Sequence, residues 1–386
     1  MLKQTLAIGL TQTVAWASST YLPAILAVPI AKDLGIAPAT VFGAFSVSLV
    51  VMALAGPPVG RAIDRHGGRG LLVISNLVLA LGLVLLAASQ GSLMLFGAWG
   101  VLGLGMALGL YDAAFATLVR LHGADARLPI TGITLIAGFA STVGWPLTAY
   151  LAAHGGWRTA CVAWAAIHIV IALPMNLLFV PAAGAPPEPR RAMPSSEERK
   201  AQTAAMPLLI AFAATTAFVT SAMAAHLPGL LVAMGASGVV AIGAASLLGP
   251  AQVFARIVEI AAARRYRVHP LVPARVATAL HPVACLVLAF GGGAAPAIAY
   301  ALLHGAGNGL ITIVRGTLPL ALFGQAGYGE RQGVIAVLAR AMQAAAPFSY
   351  AWVLYNVGPG AAIGLTAALS LAALGALLAL RPSADP

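Results

Sequence analysis

Charged residues are scarce in this sequence. Only 8% of its 386 residues are Asp, Glu, Lys or Arg, and 60% are hydrophobic, which gives a mean hydropathy of +0.94. Soluble domains are about a quarter charged. A soluble fold of this length cannot bury so much apolar surface. The composition therefore excludes an ordinary soluble domain and indicates a protein whose solvent is the lipid bilayer.

Cysteines and the common catalytic motifs are also lacking. The only two cysteines, Cys161 and Cys285, each lie inside an apolar run, which excludes a disulfide framework and a Cys-x-x-Cys site. The sequence has no Gly-x-x-x-x-Gly-Lys-Ser/Thr loop for ATP, no His-Glu-x-x-His zinc motif and no Gly-x-Ser-x-Gly elbow. We therefore expect no enzyme activity, no cofactor and no metal site.

Acidic residues are few as well: Asp and Glu number 10 against 21 Lys and Arg, a net charge of +11. The positive residues form short clusters between apolar runs, not a basic stripe interleaved with aromatics, so we expect no nucleic-acid partner. They occupy alternate loops, at Arg61, Arg65 and Arg69; Arg120 and Arg127; Arg190, Arg191, Arg199 and Lys200; Arg264, Arg265 and Arg267; and Arg331. The positive-inside rule places these loops and both termini in the cytoplasm.

Long apolar segments fill the rest of the chain. A membrane helix needs about 20 mostly apolar residues, and twelve segments qualify, at 4–29, 40–59, 70–89, 93–119, 128–153, 157–180, 204–232, 237–262, 270–290, 294–322, 331–356 and 360–381. The polar stretch 181–203 divides them. The sequence predicts an all-α membrane protein with an N-terminal six-helix bundle (1–180), a cytoplasmic linker (181–203) holding a short surface helix at Ser195–Gln202, and a C-terminal six-helix bundle (204–386).

The two halves show traces of a repeat. Aligning Gly105 of span four with Gly307 of span ten puts Asp112 and Arg315 one position apart in the two copies. Internal repeats are common in secondary transporters. The alignment, together with the six-plus-six spacing, favours two related, pseudo-symmetric halves.

The stretch between spans two and three carries a motif. Gly60, Asp64, Arg65, Gly67 and Arg69 match the Gly-x-x-x-Asp-Arg-x-Gly-x-Arg loop of the major facilitator superfamily, which this chain resembles over essentially its whole length. The resemblance implies the major facilitator fold and secondary active transport by alternating access. It also implies that spans one, four, seven and ten line the cavity.

The same resemblance implies a conformational latch. In that topology Asp64 caps the positive N-terminal end of the eleventh helix, near Glu330–Arg331, and we assign Arg340 to the same latch. The ionic contact favours the outward-open state and breaks when the protein turns inward. The alternative is a solvated positive loop that only sets topology.

Charges inside the spans are functional candidates, because a charge near the bilayer centre costs about 2.5–3.5 kcal/mol. Arg315 is a candidate for anion binding, since a guanidinium can hold a carboxylate with two hydrogen bonds. Asp112 is a candidate for proton coupling or a counter-ion for Arg315. The alternative for both is a static ion pair that holds the halves in register.

Arg256 and Glu259 lie three residues apart on span eight, close enough to meet on one helical face. Monocarboxylate and oxalate transporters of the superfamily carry a functional arginine on this helix, and the placement of Arg256 is similar. We expect Arg256 to bind substrate and Glu259 to take part in proton coupling. In the alternative, both face the cytoplasmic headgroups.

Uncharged polar residues on the predicted cavity helices complete the set. Tyr21, Tyr111 and Asn308 can hydrogen-bond a substrate, and the tyrosines also offer a ring face. His226 on span seven is a candidate for a proton relay, because an unperturbed histidine changes its charge near neutral pH, and a packing role is the alternative.

The sequence thus predicts a secondary active transporter in the cytoplasmic membrane. We expect a small organic anion as substrate, proton coupling and a monomeric protein, because two arginines would make the cavity positive. A loose similarity to the monocarboxylate branch agrees. The alternative is proton-coupled efflux of drug-like or toxic compounds, for which Asp112 would be the essential group.

Overall fold

The computed structural model describes residues 2–122, 126–182, 196–266, 268–323 and 328–380. In this part of the chain there are sixteen α-helices and no β-strand. The helices are α1 (Leu2–Ser18), α2 (Pro23–Leu34), α3 (Pro38–His66), α4 (Arg69–Ala87), α5 (Ser92–Gly109), α6 (Tyr111–His122), α7 (Arg127–Ala137), α8 (Ala140–Ile167), α9 (Leu173–Phe179), α10 (Ser196–Ala233), α11 (Gly238–Ser246), α12 (Leu248–Tyr266), α13 (Leu271–Ala289), α14 (Ala294–Phe323), α15 (Tyr328–Asn356) and α16 (Pro359–Ala379). A π-helical turn, His168–Ala172, joins α8 to α9.

Eleven helical stretches of the described residues are long and apolar enough to cross a membrane. One of them, Leu128–Phe179, has 52 residues. At 1.5 Å per residue it measures about 78 Å, more than twice the ~30 Å hydrocarbon core. Its backbone leaves helical geometry at Gly156, where φ is +80°. This stretch therefore covers the predicted spans five and six, and the all-α membrane fold is confirmed.

Four spans are interrupted along their length. Span one breaks between α1 and α2, span four at Leu110, span five between α7 and α8, and span eight at Leu247. Leu110 is extended, with φ −77° and ψ −171°. An extended residue inside a span removes helical backbone partners, and at membrane depth such a gap is tolerated only inside protein or beside a water-filled cavity. Leu110 is only 5% exposed, so it marks a point where span four does not face lipid.

The second span is longer than predicted. α3 runs to His66, so Gly60, Asp64 and Arg65 lie on its last two turns and not in a loop. The helix ends at Gly67, whose φ of +83° favours glycine. The next residue, Gly68, has no room for a side chain because Thr117 of α6 fills that space. The turn is therefore only two residues long.

Helix α10 begins inside the predicted linker. The surface helix predicted at Ser195–Gln202 is the start of α10, which continues from Ser196 into span seven without a break. Residues 183–195, which include most of the predicted linker, lie outside the described residues.

The described residues fall into two compact units. The first takes in Met1–Glu188 with Ala224–His226, and the second takes in Pro189–Met223 with Leu227–Pro386. Within the first unit α5 packs on α3 and α4, and α1 packs on α7 and α8. Within the second, α14 packs on α12 and α13, and α13 packs on α16. The bounds of the two predicted bundles and of the linker between them stay a prediction.

Each unit has an apolar core. Ile63 of α3 and Ile133 of α7 are fully buried in a cluster of the first unit. Val314 of α14 and Leu377 of α16 occupy the corresponding cluster of the second. Because lipid is as apolar as these side chains, the fit of one helix against another stabilises each core more than the removal of apolar surface from water.

Close helix contacts at glycines recur in the two units. Gly103 of α5 lies directly against the backbone of Ser48 in α3, and Gly105 lies against Leu79 of α4. In the second unit, Gly305 lies against the Leu248 backbone of α12, and Gly307 lies against the Ala277 carbonyl of α13. The pairs correspond under the alignment of Gly105 with Gly307. The same packing in both units supports the repeat.

We expect Gly103→Ala to lower the thermal stability of the protein. The added methyl group would overlap the Ser48 carbonyl, and backbone atoms cannot rotate away. Overpacking of this kind costs about 1–3 kcal/mol. Gly100→Ala on the same helix is the matched control, because no atom lies within 4 Å of its added methyl group. Thermal unfolding of the purified protein in detergent measures both, and equal melting temperatures would contradict this packing.

Candidate functional site

One face of α14 carries polar residues of the second unit. Asn308, Thr312 and Arg315 are spaced by one helical turn each and so lie along one side of the helix. Nη2 of Arg315 donates to Oγ1 of Thr216 on α10 at 3.4 Å. Oγ1 of Thr220, one turn along α10, donates to Oδ1 of Asn308 at 2.9 Å. Polar contacts therefore join α10 and α14 along about two turns.

Arg256 of α12 reaches the same face. Its guanidinium donates to the carbonyl of Gly309 at 3.2 Å, to Oε1 of Gln252 at 3.3 Å and to Oγ1 of Thr312 at 3.2 Å. Only 3% of the residue is exposed. Gly309 permits this approach, since a side chain there would meet the Gln252 backbone at 2.5 Å. The structure therefore places Arg256 against α14, whereas Glu259, one turn further on, is partly buried.

These contacts bring three of the predicted site residues together. Arg256 bonds to Thr312, which precedes Arg315 by one turn and follows Asn308 by one turn. Two guanidinium groups thus share one helix face with hydroxyl and amide groups. Such a surface can accept an anion with charge-assisted hydrogen bonds.

Sequence reasoning missed the neutral members of this face. Thr216 and Thr220 repeat at four residues on α10, as Asn308 and Thr312 do on α14. The spacing was a usable signal, but single hydroxyl residues in apolar helices usually bond their own backbone. Thr216 does this too, donating to Phe212 at 2.7 Å. Gln252 also contributes: its Nε2 atom is buried and has no hydrogen-bond partner among the described residues.

A chain of aromatic rings runs through the first unit. Trp145 of α8 meets Tyr21 edge-on, with ring centroids 5.2 Å apart, and its Nε1 donates to the Tyr21 carbonyl at 3.1 Å. Trp16 lies 6.4 Å from Tyr21 and 5.0 Å from Tyr111. Tyr111 stacks on Phe115 at 5.0 Å. The structure therefore connects the two predicted tyrosines through Trp16, which sequence reasoning missed. We call these five residues the aromatic chain.

The aromatic chain lies where three spans are interrupted. Tyr21 sits in the break between α1 and α2, and Tyr111 begins α6 directly after Leu110. Trp145 lies in the second turn of α8. Asp112 follows Tyr111 in the first turn of α6 and is exposed.

His226 is the remaining predicted ligand. It lies on α10 two residues before Pro228, and only 2% of it is exposed. The sequence did not predict that two other histidines would lie together. Nδ1 of His281 on α13 and Nδ1 of His304 on α14 are 2.9 Å apart and buried. Among the described residues, no three His, Cys, Asp or Glu side chains are grouped to hold a metal ion.

The signature residues occupy the end of α3 and the start of α4. Asp64 and Arg65 are exposed, and Gly60 is partly exposed. Arg69 instead binds within its own unit, where its Nη2 donates to the Leu177 carbonyl at 2.7 Å. Leu177 lies in the last turn of α9, so Arg69 caps that helix.

The second unit has a counterpart to this cap. Arg275 of α13 donates to the carbonyls of Leu377 and Leu380 at the end of α16, at 3.2 and 2.8 Å. The predicted latch residue Arg340 is partly buried on α15. The side chains of Glu330 and Arg331, where the latch was predicted to close, lie outside the described residues. The latch stays a prediction.

Two curated proteins resemble part of this chain. An uncharacterized 38 kDa protein in the 23S RNA operon of Thermoproteus tenax is 29% identical over 170 residues, 44% of this chain and 44% of that protein. The uncharacterized transporter YybO of Bacillus subtilis (strain 168) is 28% identical over 143 residues, 37% of this chain and 31% of that protein. The chain thus spans less than half the length of either relative.

Solved structures match the fold over nearly the whole chain. A bacterial homolog of the human lysosomal transporter Spinster, inward-facing and unoccupied, has a TM-score of 0.68 at 16% identity, covering 97% of this chain and 93% of that one. A POT family transporter in complex with a thioalcohol-conjugated peptide has a TM-score of 0.78 at 11% identity, covering 97% and 94%. At such identities the likeness shows the fold alone. The sequence itself matches the Major Facilitator Superfamily over residues 8–347, and the chain belongs to that family.

Proposed function

We propose that this transporter moves a small organic anion by alternating access and that proton movement drives it. The observation that supports an anionic substrate is the shared helix face in the second unit. Arg315 lies on α14, and Arg256 of α12 hydrogen-bonds to the same stretch of that helix. Two arginines on the packed membrane helices α12 and α14 are costly to insert into the bilayer. Substrate binding therefore explains their presence better than packing does.

The two arginines have different roles in this proposal. Arg256 is held by three acceptors and is almost fully buried, so it contributes fixed positive charge. Arg315 is partly buried and makes a longer contact, at 3.4 Å, to Thr216. A carboxylate would replace that contact with a stronger, charge-assisted one. Arg315 is therefore the residue that meets the substrate, with Asn308 beside it.

Asp112 is the proposed carrier of the coupling proton. It is exposed and stands directly after the break in span four, where a water-filled cavity is the expected surrounding. Glu259 is kept as a second candidate on α12. The proposal includes Tyr21, Tyr111 and His226 as neutral substrate contacts, and Asp64, Arg65 and Arg340 as conformational residues. It also places the protein in the cytoplasmic membrane as a monomer with both termini inside.

A second candidate function is proton-coupled efflux of drug-like compounds. The aromatic chain favours it, because stacked rings beside the exposed Asp112 suit an apolar or cationic solute. In that case Asp112 would be essential, and the arginines of the second unit would serve only packing.

We expect Arg315→Gln to abolish carboxylate-coupled charge movement. The substitution removes the charge and the paired donors while keeping a polar, though shorter, side chain. Purified protein in liposomes, under an inward proton gradient and a panel of carboxylates and cationic drugs, measures the current. Arg61→Gln, at an exposed position of α3, is the control for loss of one positive charge. Responses to cationic drugs alone, unchanged in Arg315→Gln, would overturn the anion proposal.

Asp112→Asn should uncouple substrate movement from protons. The amide cannot take up or release a proton near neutral pH, so we expect substrate exchange without a gradient to persist while gradient-driven accumulation falls at least tenfold. Counterflow of labelled substrate and accumulation under a proton gradient are compared in the same liposomes. Full accumulation in the variant would assign coupling to another residue, with Glu259→Gln as the next test.

The different roles of the two arginines also predict how much each one contributes to the thermal stability of the protein. Arg256→Met should lower the melting temperature clearly more than Arg315→Met, because it leaves Gly309, Gln252 and Thr312 without their buried donor. Each hydrogen bond to a charged group contributes about 1.5–3 kcal/mol. Differential scanning fluorimetry in detergent compares the two. A larger loss for Arg315→Met would reverse the assigned roles.

A further inference from the structure

His168 lies at the centre of a buried hydrogen-bond network in the first unit. Its Nε2 atom is 2.8 Å from Oγ of Ser18, and its Nδ1 atom is 2.9 Å from Oδ1 of Asn76. Ser18 and His168 are 0% exposed, and Asn76 is 3% exposed. Both ring nitrogens therefore have partners on other spans, one at the end of α1 and one in α4. We call these three residues the histidine bridge.

The rest of the network decides which atoms of the histidine bridge donate. The Leu72 carbonyl accepts from Nδ2 of Asn76 at 2.8 Å and from Nδ2 of Asn176 at 3.1 Å. A carbonyl cannot donate, so the Asn76 amide turns its nitrogen to Leu72 and its oxygen to His168. Nδ1 of His168 therefore carries a hydrogen. In a neutral imidazole Nε2 is then the acceptor, and it takes the hydroxyl hydrogen of Ser18.

The surrounding elements offer no negative charge to a protonated imidazole. Among the described residues, α1, α4, α8 and α9 pack on the π-helical turn that contains His168. Besides His168, the titratable side chains of these elements are Lys3, Arg69, Tyr150, His154, Arg158 and Cys161. None of them is negatively charged at neutral pH. Because an uncompensated buried charge is costly, His168 serves as a neutral hydrogen-bonding group and not as a proton carrier.

The π-helical turn brings His168 onto the face that the network needs. Pro174 has no N–H to continue a regular helix, and the N–H of Leu173 bonds to the His168 carbonyl five residues back. In a regular α-helix, His168 and Asn176 would point about 80° apart around the axis. The extra residue of the turn takes back about 100°, which leaves about 20° between them. Both side chains therefore meet α4.

Helix α1 is held by this network and by a second contact. Oγ1 of Thr11 donates to Oδ1 of Asn176 at 3.2 Å, and the histidine bridge holds the last residue of the helix. Nε2 of Gln12 donates to the Gly109 carbonyl of α5. Polar contacts thus join α1 to spans three, four and six. Tyr21 lies only three residues beyond the end of this fixed helix, inside the break of span one.

We propose that His168 is a positioning residue, which fixes the break in span one and so places Tyr21 in the aromatic chain. It acts through Ser18, the last residue of α1. Beyond the break, the Tyr21 carbonyl accepts from Trp145 and its ring meets that tryptophan edge-on. The inference rests on the proposed function only in treating Tyr21 as a substrate contact. The position of the break can be measured without any substrate.

Fluorine NMR measures the break in full-length protein in nanodiscs that carries 5-fluorotryptophan. Trp16 and Trp145 report on it, because their rings lie 6.4 and 5.2 Å from that of Tyr21. Single Trp→Phe variants assign the signals, and Trp352 of α15 is the reference. Ser18→Ala removes the hydroxyl that meets Nε2 of His168. We expect it to shift the Trp16 and Trp145 signals by more than their line widths and to leave the reference in place.

Ser48→Ala is the matched control. Ser48 is also 0% exposed in the first unit, but its hydroxyl donates to the Phe45 carbonyl of its own helix at 2.7 Å. It should leave the signals of Trp16 and Trp145 unmoved. Unmoved signals in Ser18→Ala, or equal shifts in the two variants, would overturn the positioning role.

Nitrogen NMR of histidine-labelled protein adds a measure that looser packing would not change. The His168 signal, assigned from His168→Gln, should show the neutral Nδ1–H form at both about pH 5 and about pH 8, whereas exposed His66 and His154 change their charge in that range. Asn76→Leu removes the acceptor of Nδ1 and should cost most of the Nδ1–H signal. An Nε2–H form in the unmodified protein, or titration together with His66, would contradict the assignment. Carboxylate transport plays no part, so a failed anion proposal would leave these results unaffected.

Discussion

The lack of water in the hydrocarbon core is the constraint on which this structure depends. Every backbone N–H and C=O in that layer must find its partner within the protein, which leaves the helix as the available element for an open chain. The same constraint gives meaning to each exception. Helix ends are capped by arginines, as Arg69 caps α9 and Arg275 caps α16. Four of the described spans are interrupted, and the aromatic chain of the first unit lies at three of these breaks.

Close packing at glycines follows from the same solvent. Without a hydrophobic force between helices, spans associate where backbones can approach, and small residues permit this. Gly103 and Gly305 each bring a helix against the backbone of another in its own unit. At Gly309 the approach also has a chemical result, because it exposes a carbonyl that holds Arg256. A packing residue thus fixes the position of a charge.

The sequence predicts the spans well because the bilayer imposes one length and one composition on them. It predicts the breaks poorly, since an apolar run such as that around Leu110 looks the same whether its backbone is helical or extended. The end of α3 was misjudged for a related reason: charges at Asp64 and Arg65 indicate water, and a helix can continue into water. The charged site residues were identifiable because charge is rare in these spans. Trp16, Gln12 and Thr216 were not, since their significance depends on neighbours that only the fold supplies.

Both units bury polar groups, and in each some are paired while others, such as Nε2 of Gln252 in the second unit, have no hydrogen-bond partner among the described residues. In the second unit, Arg256 is matched by three acceptors, so its charge is fixed in place and its energetic cost is covered within the protein. In the first unit, Oε1 of Gln12 and Oγ of Ser141 are buried without a hydrogen-bond partner among the described residues, and the rest of the fold must offset that cost. A saturated site gives rigidity and a lasting field. An unpaired buried atom gives neither, and it lowers stability by the cost of removing that atom from water.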